Sequence, residues 1–121
     1  MQKENLLNVA LSQIAPVWLD KEATLQKIYT QIQQAATTQT ELIVFGEGLL
    51  PGYPFWLALA DGAHWNTSLN KELYAHYLRN SITIENGDLD PLCALAKKHH
   101  MAIYLGIIER PLDRGGHSVY A

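Results

Sequence analysis

The sequence predicts an α/β fold built on a parallel sheet, and three observations carry that expectation. Short apolar runs at residues 6–11, 42–45 and 101–108 have the length of strands, and segments with helical periodicity separate them. The second run, Leu42, Ile43, Val44 and Phe45, shows no polar alternation, as expected of a strand covered on both faces. A strand–helix–strand unit of this spacing favours parallel pairing through a right-handed crossover.

Residues 6–11 are apolar enough for a buried strand, which the stretch from Ser12 to Pro16 ends. Asp20 is placed to cap a helix, with Glu22 in its first turn, where the helix dipole favours negative charge. Leu25, Ile28, Ile32 and Ala35 follow at spacings of three and four, and Tyr29 and Ala36 widen the stripe into an amphipathic face. After the strand at 42–45, residues 46–66 form a long irregular stretch holding two prolines, four glycines and two tryptophans. Long loops of this kind often carry function. Ser68 is expected to cap a second helix to about Arg79, burying Leu69, Leu73, Tyr74 and either Tyr77 or Leu78. Residues 81–84 read as a short extended piece and Asn86-Gly87 as a turn. Asp90 is expected to cap a third helix with Pro91 at its first position, turning Leu92, Leu95 and Ala96 inward. Residues 101–108 read as a third buried strand, 113–116 as a turn and 117–121 as the opening of a fourth strand. A domain rarely ends on an unpaired strand with nothing to cover the sheet. The expectation is therefore a fragment, or a chain whose missing layer comes from elsewhere.

The 121 residues are 48% apolar, enough for one modest domain with a real core. Net charge is −3 and no basic stripe is present, which argues against a nucleic-acid partner. No run approaches a membrane span, and the apolar stretch near the N-terminus is broken by Asn8 and too polar for a secretory segment. The single cysteine, Cys93, rules out an internal disulfide framework and fits a reducing compartment, so the expected location is cytoplasmic.

Glu47 is the residue most suggestive of chemistry. It follows an apolar strand directly, stands between Gly46 and Gly48, and precedes a turn of Pro51, Gly52, Tyr53 and Pro54. Open α/β sheets bind ligands just outside the carboxyl ends of their strands. Burial against Phe45, Tyr53 and Phe55 would raise the Glu47 pKa and suit it to proton transfer. The alternative is a carboxylate that caps a helix or pairs with a lysine. Glu109 also follows a strand, so a pair of carboxylates working as acid and base is a second reading, beside a plain ion pair with Arg110 or Arg114. Cys93 falls in the first turn of a helix near its apolar face, which favours a small core residue over a nucleophile. His64, His76, His99, His100 and His117 show no metal-ligand spacing, and His99-His100 reads as a helix C-terminal cap. No glycine-rich phosphate loop is present. Phe55, Trp56 and Trp65 suit an apolar substrate pocket, a loop core or an oligomer contact.

The order strand, helix, Leu42-Ile-Val-Phe-Gly-Glu47, then Pro51-Gly-Tyr-Pro-Phe-Trp56 resembles the N-terminal part of the carbon–nitrogen hydrolase, or nitrilase, superfamily. The opening Val9-Ala-Leu-Ser-Gln13 with Pro16 shortly after is similar to its first strand and loop, and residues 77–81, 104–110 and 116–120 look like its nitrilase branch. The resemblance spans essentially the whole chain and favours a nitrilase over an amidase. It implies that residues 1–121 are the N-terminal part of a single hydrolase domain, an incomplete piece of a four-layer αββα sandwich. It also implies hydrolysis of a small-molecule nitrile, or of an amide, by a Glu–Lys–Cys triad, without metal or organic cofactor, in a homo-oligomer. By motif, Glu47 corresponds to the general acid and base, and Tyr53 and Trp56 fall where substrate is bound. The family's lysine and cysteine motifs have no match here: Lys97 and Lys98 sit in the wrong element, and Cys93 is outside the nucleophile motif. The family often has proline where this chain has Gly46. The chain alone is therefore expected to be inactive. A non-catalytic relative that pairs with another subunit through its open sheet is the alternative.

Overall fold

A computed structural model describes residues 5–64 and 66–114. Its centre is a parallel sheet of three strands in the order β1 (Val9–Ser12), β2 (Leu42–Phe45) and β3 (Ala102–Tyr104). Val9, Leu42 and Ala102 lie side by side, as do Leu11, Val44 and Tyr104. Helix α1 (Lys21–Ala36) connects β1 to β2. The return to β3 carries α2 (Trp56–Leu59), α3 (Ser68–Asn80) and α4 (Asp90–His99). Both crossovers run in the same direction along the sheet, so α1 and α4 cover the same face, as right-handed connections require.

The α1 prediction holds residue by residue. Asp20 accepts from the Ala23 amide at 2.9 Å, and Leu25, Ile28, Ile32 and Ala35 are buried. They pack on Ile43 and Phe45 of β2 and on Leu92 of α4. Buried Thr24 at the start of the same stripe is satisfied by Val17, donating to its carbonyl at 3.0 Å and accepting from its amide at 3.1 Å. That exchange ties the loop after β1 to the helix and removes the penalty of burying a hydroxyl.

Several expectations are corrected. The first strand is Val9–Ser12 rather than 6–11, and Leu6 and Leu7 are exposed. The sheet is covered on one face only among the described residues: Val9, Leu11 and Tyr104 are exposed on the other, so β2 is not enclosed on both sides. Thr67, not Ser68, caps α3, accepting from the Asn70 amide at 3.3 Å. Leu69 and Tyr74 are exposed, whereas Asn70 and Tyr77 are buried. The Asn70 side-chain amide reaches the carbonyls of Ala60 and His64 and the Thr67 hydroxyl, so a polar residue faces inward to hold the preceding loop together. Helix α4 begins at Asp90 with Leu89 as its cap position, which places Asp90 in the first turn. Its last turn carries Lys97, Lys98 and His99, and His100 ends it in the left-handed region. Cys93 is exposed, because Leu92 takes the inward position in that turn. The proposed fourth strand, residues 117–121, lies outside the described residues, as does the end of the 113–116 turn.

The third strand is shorter than its apolar run. Beyond β3 the chain continues its ladder without β2. The Leu50 amide donates to the Gly106 carbonyl, and the Leu50 carbonyl accepts from the Ile108 amide. Ile82 takes the next place: its amide donates to the Ile108 carbonyl, and its carbonyl accepts from the Arg110 amide. Leu50 pairs with Ile107 and Ile82 with Glu109, both parallel. Residues 51–81, including α2 and α3, are thus an excursion that leaves the sheet after Leu50 and rejoins it at Ile82. Both anchors are fully buried.

In the 121-residue chain, Ile28→Ala is expected to cost about 2–5 kcal/mol in urea unfolding, as for a large aliphatic group removed from a close-packed core. Leu11→Ser, on the uncovered face, is expected to change stability by no more than about 0.5 kcal/mol.

Candidate active site

Glu47 owes its place to a mismatch in the ladder between neighbouring segments. Val44 pairs with Tyr104, and the next pairing joins Leu50 to Ile107. Six steps on one side therefore span three on the other. The extra residues loop out just beyond the carboxyl end of β2, the central strand. Phe45 before the loop and Leu49 and Leu50 after it are buried, so both ends are fixed in the core. Gly48 takes the loop through the left-handed region with φ of 60°, where a side chain is unfavourable. The Leu50–Pro51 bond is cis.

The Glu47 side chain is exposed, which corrects the expected burial against Phe45, Tyr53 and Phe55. It borders a cavity of about 480 Å³ lined also by Phe45, Tyr104 and Ile107. The Tyr53 ring packs beside the adjoining Gly48. Its interaction with the Glu47 carboxylate first, and then partial desolvation, push the Tyr53 phenol above its ordinary value of 10.0.

Tyr53 also lines a second, larger cavity of about 750 Å³, together with Trp56, Leu57, Tyr74, Tyr77 and Ile108. Trp56 is buried and meets Tyr77 edge-on at 4.9 Å between ring centroids. With Ile108 they form a small core of their own. The Tyr77 hydroxyl donates to the Gly52 carbonyl at 3.1 Å, holding the turn that presents Tyr53. Burial first, then the charges of Tyr53 and Tyr74, push the Tyr77 phenol up to about 12. Trp18 underlies the same turn: a Cβ on Gly52, whose φ is 118°, would come within 2.8 Å of its ring. The three residues singled out from sequence, Glu47, Tyr53 and Trp56, thus fall on one continuous segment, with Tyr53 at the larger cavity and in contact with Glu47 at the smaller. Trp65 lies outside the described residues.

Glu109 does not line the cavity beside Glu47. It sits where the chain pairs with Ile82, and the Arg110 guanidinium donates to the Leu78 carbonyl at 3.3 Å. Cys93 borders an apolar groove between α4 and β3 that Glu47 does not line. Among the described residues no group of three His, Cys, Asp or Glu side chains is placed to hold a metal ion, and no helix is long and apolar enough to cross a membrane. Sequence reasoning missed Tyr77 as the support of the Tyr53 turn. It also missed Gly106, against which the Glu47 loop rests. The signal for Gly106 was a lone glycine within an apolar run, a common mark of a bulge or a close backbone approach.

An acidic loop at the carboxyl end of the central strand, bordered by cavities, is the placement expected of an α/β enzyme's active site. A model of the carbon-nitrogen hydrolase family matches residues 8–120. The chain belongs to that family, on its nitrilase branch. It is 33% identical over 103 residues to an arylacetonitrilase of Aspergillus oryzae, covering 85% of this chain and 29% of that protein. It is 34% identical over 120 residues to an arylacetonitrilase of Aspergillus niger, covering 99% of this chain and 32% of that protein. A nitrilase 2 from an unknown prokaryotic organism is 32% identical over 103 residues, covering 85% and 31%. The chain therefore spans about three tenths of the length of these relatives.

The raised Tyr77 pKa has a defined effect on stability. A phenol whose folded pKa lies above its unfolded value of 10.0 keeps its proton longer in the folded state. Its contribution is complete below pH 10 and is lost as pH rises through about 12. Unfolding monitored across pH 10–12 is expected to show falling stability, with a shallower fall in Tyr77→Phe.

Proposed function

We propose that this chain supplies the general acid and base of a cysteine-dependent hydrolase that converts a nitrile to a carboxylic acid and ammonia, with Glu47 in that role. The single observation that carries the reading is the Glu47 loop, whose carboxylate stands beside a cavity at the carboxyl end of the sheet. Membership of the family supports it.

In the proposed reaction Glu47 takes the proton of a cysteine thiol, and the thiolate attacks the nitrile carbon. The proton passes to the nitrogen, giving a thioimidate. Water adds to that carbon, Glu47 relays the water's two protons in turn to the nitrogen, which leaves as ammonia, and a thioester remains. A second water, deprotonated by Glu47, cleaves the thioester to acid and free thiol. A lysine offsets the negative charge of the intermediates. The cysteine and the lysine come from segments that no residue of this chain matches.

Relatives named arylacetonitrilases favour an arylacetonitrile substrate. The large cavity walled by Tyr53, Trp56, Tyr74 and Tyr77 has the size and aromatic lining for an aryl group. The apolar row of Val9, Leu11 and Tyr104 on the uncovered sheet face supports the proposal that a second sheet packs there, in a four-layer αββα sandwich. In this reading the complete enzyme is a cytoplasmic homo-oligomer.

Ammonia release from phenylacetonitrile tests the proposal. In the protein that carries this chain with its triad partners, Glu47→Gln is expected to lower kcat/KM by about 10²–10⁴-fold. The 121-residue chain on its own is expected to release none. Turnover by the chain alone, lost in Glu47→Ala and kept in Cys93→Ser, would overturn the triad assignment.

A further inference from the structure

Residues 46–48 lie across the segment that continues β3 and approach Gly106 closely. A Cβ built on Gly106 would collide with the Gly46 carbonyl oxygen and come within 2.6 Å of both Glu47 Cα and the Gly48 nitrogen. All three are backbone atoms, so no side-chain rotation could relieve the clash. Gly106 has no left-handed φ to accommodate; the position uses the space a side chain would fill. By contrast, a Cβ on Gly46 would meet nothing within 4 Å. On the other side of the loop, a Cβ on Gly48 would come within 3.3 Å of the Tyr53 ring. The Glu47 backbone is thus seated between a bare strand and an aromatic ring.

We propose that Gly106 is the positioning residue for Glu47: the absence of a side chain there sets the depth at which the Gly46–Gly48 backbone rests, and thereby where the carboxylate stands relative to Tyr53. The importance of that aim for catalysis rests on the function proposed above. The geometric claim does not. Any side chain at 106 lifts the loop, because Phe45 and Leu49 on either side are fixed in the core. The carboxylate then swings away from Tyr53.

Tyr53 provides the readout. Its phenol is raised chiefly by its interaction with the Glu47 carboxylate. Tyr77 of α3 is coupled to it by charge, and Lys71 and Tyr74 of α3 line the same cavity. The three atoms that a Cβ on Gly106 would meet first all belong to the Glu47 loop. A change at Tyr53 caused by substitution at 106 therefore runs through that loop.

The experiment is a pH titration of the full 121-residue chain labelled at the tyrosine ring carbons, followed by NMR, with Tyr53→Phe to assign the resonance. In the unmodified chain Tyr53 is expected to titrate above 10.0. Glu47→Gln should bring its midpoint down toward that value. Gly106→Ala should reproduce the same downward shift while keeping a cooperative unfolding transition, and Gly46→Ala should leave the midpoint in place. A Gly106→Ala chain that folds and keeps the unmodified midpoint overturns the proposal. So does a Gly106→Ala chain without a cooperative transition, since the glycine is then a requirement of folding and not of aim. Equal shifts in Gly46→Ala and Gly106→Ala overturn it as well, because the effect would not be specific to the contact. The readout needs no turnover, so a failure here leaves the hydrolase reading standing, and an inactive enzyme leaves this one standing.

Discussion

The unequal count of residues between two shared pairings is the constraint from which the site follows. Val44 faces Tyr104 and Leu50 faces Ile107, and once Phe45 has paired with Ser12 residues 46–49 have no partner in the sheet. They must bulge, and buried Phe45, Leu49 and Leu50 leave the middle of the segment as the part that projects. A bulge interrupts the ladder locally and re-aims a side chain there. Glu47 is that side chain. The same ladder then accepts Ile82 after Leu50, which gives residues 51–81 a fixed exit and a fixed return. The aromatic cavity is built within this excursion, so both parts of the site hang from consecutive positions of one ladder.

Tyr53 joins the two parts. It belongs to the segment that carries Glu47, and it lines the cavity of Trp56 and Tyr77. Gly52, held from below by Trp18 and through its carbonyl by Tyr77, fixes the turn from which Tyr53 projects. The side chains divide accordingly: a carboxylate borders the smaller cavity, and aromatic rings dominate the larger.

The elements carried by periodicity were legible from the residues alone. Helix α1 has its stripe and its Asp20 cap as expected, and β2 is where an unbroken apolar run put it. Parallel pairing followed from the helix between the first two strands. What was not legible depended on contacts distant in sequence. Ile82 joins the sheet by a single pairing, which leaves no pattern behind. Asn70 is buried because its amide satisfies carbonyls of the 60–64 loop, a reward invisible to a hydrophobic pattern that places asparagine outside. Cys93 is exposed because the inward-facing position of its helix turn belongs to Leu92. For the site, the strand-end position of Glu47 could be read from its glycines and the apolar run before it. Its exposure could not, since that depends on how far the bulge stands out from the ladder.

The strands join the sheet in the order in which the ribosome makes them, β1, then β2, then β3. Each new strand adds to the edge left by the last, and none has to be threaded between two already paired. A growing chain can therefore assemble this sheet vectorially, with each βα unit in place as the next emerges. The acidic bulge is the exception to that timetable. It closes only after residues 106 and 107 have been synthesised, later than the three strands and after most of the aromatic wall that adjoins it has already been translated.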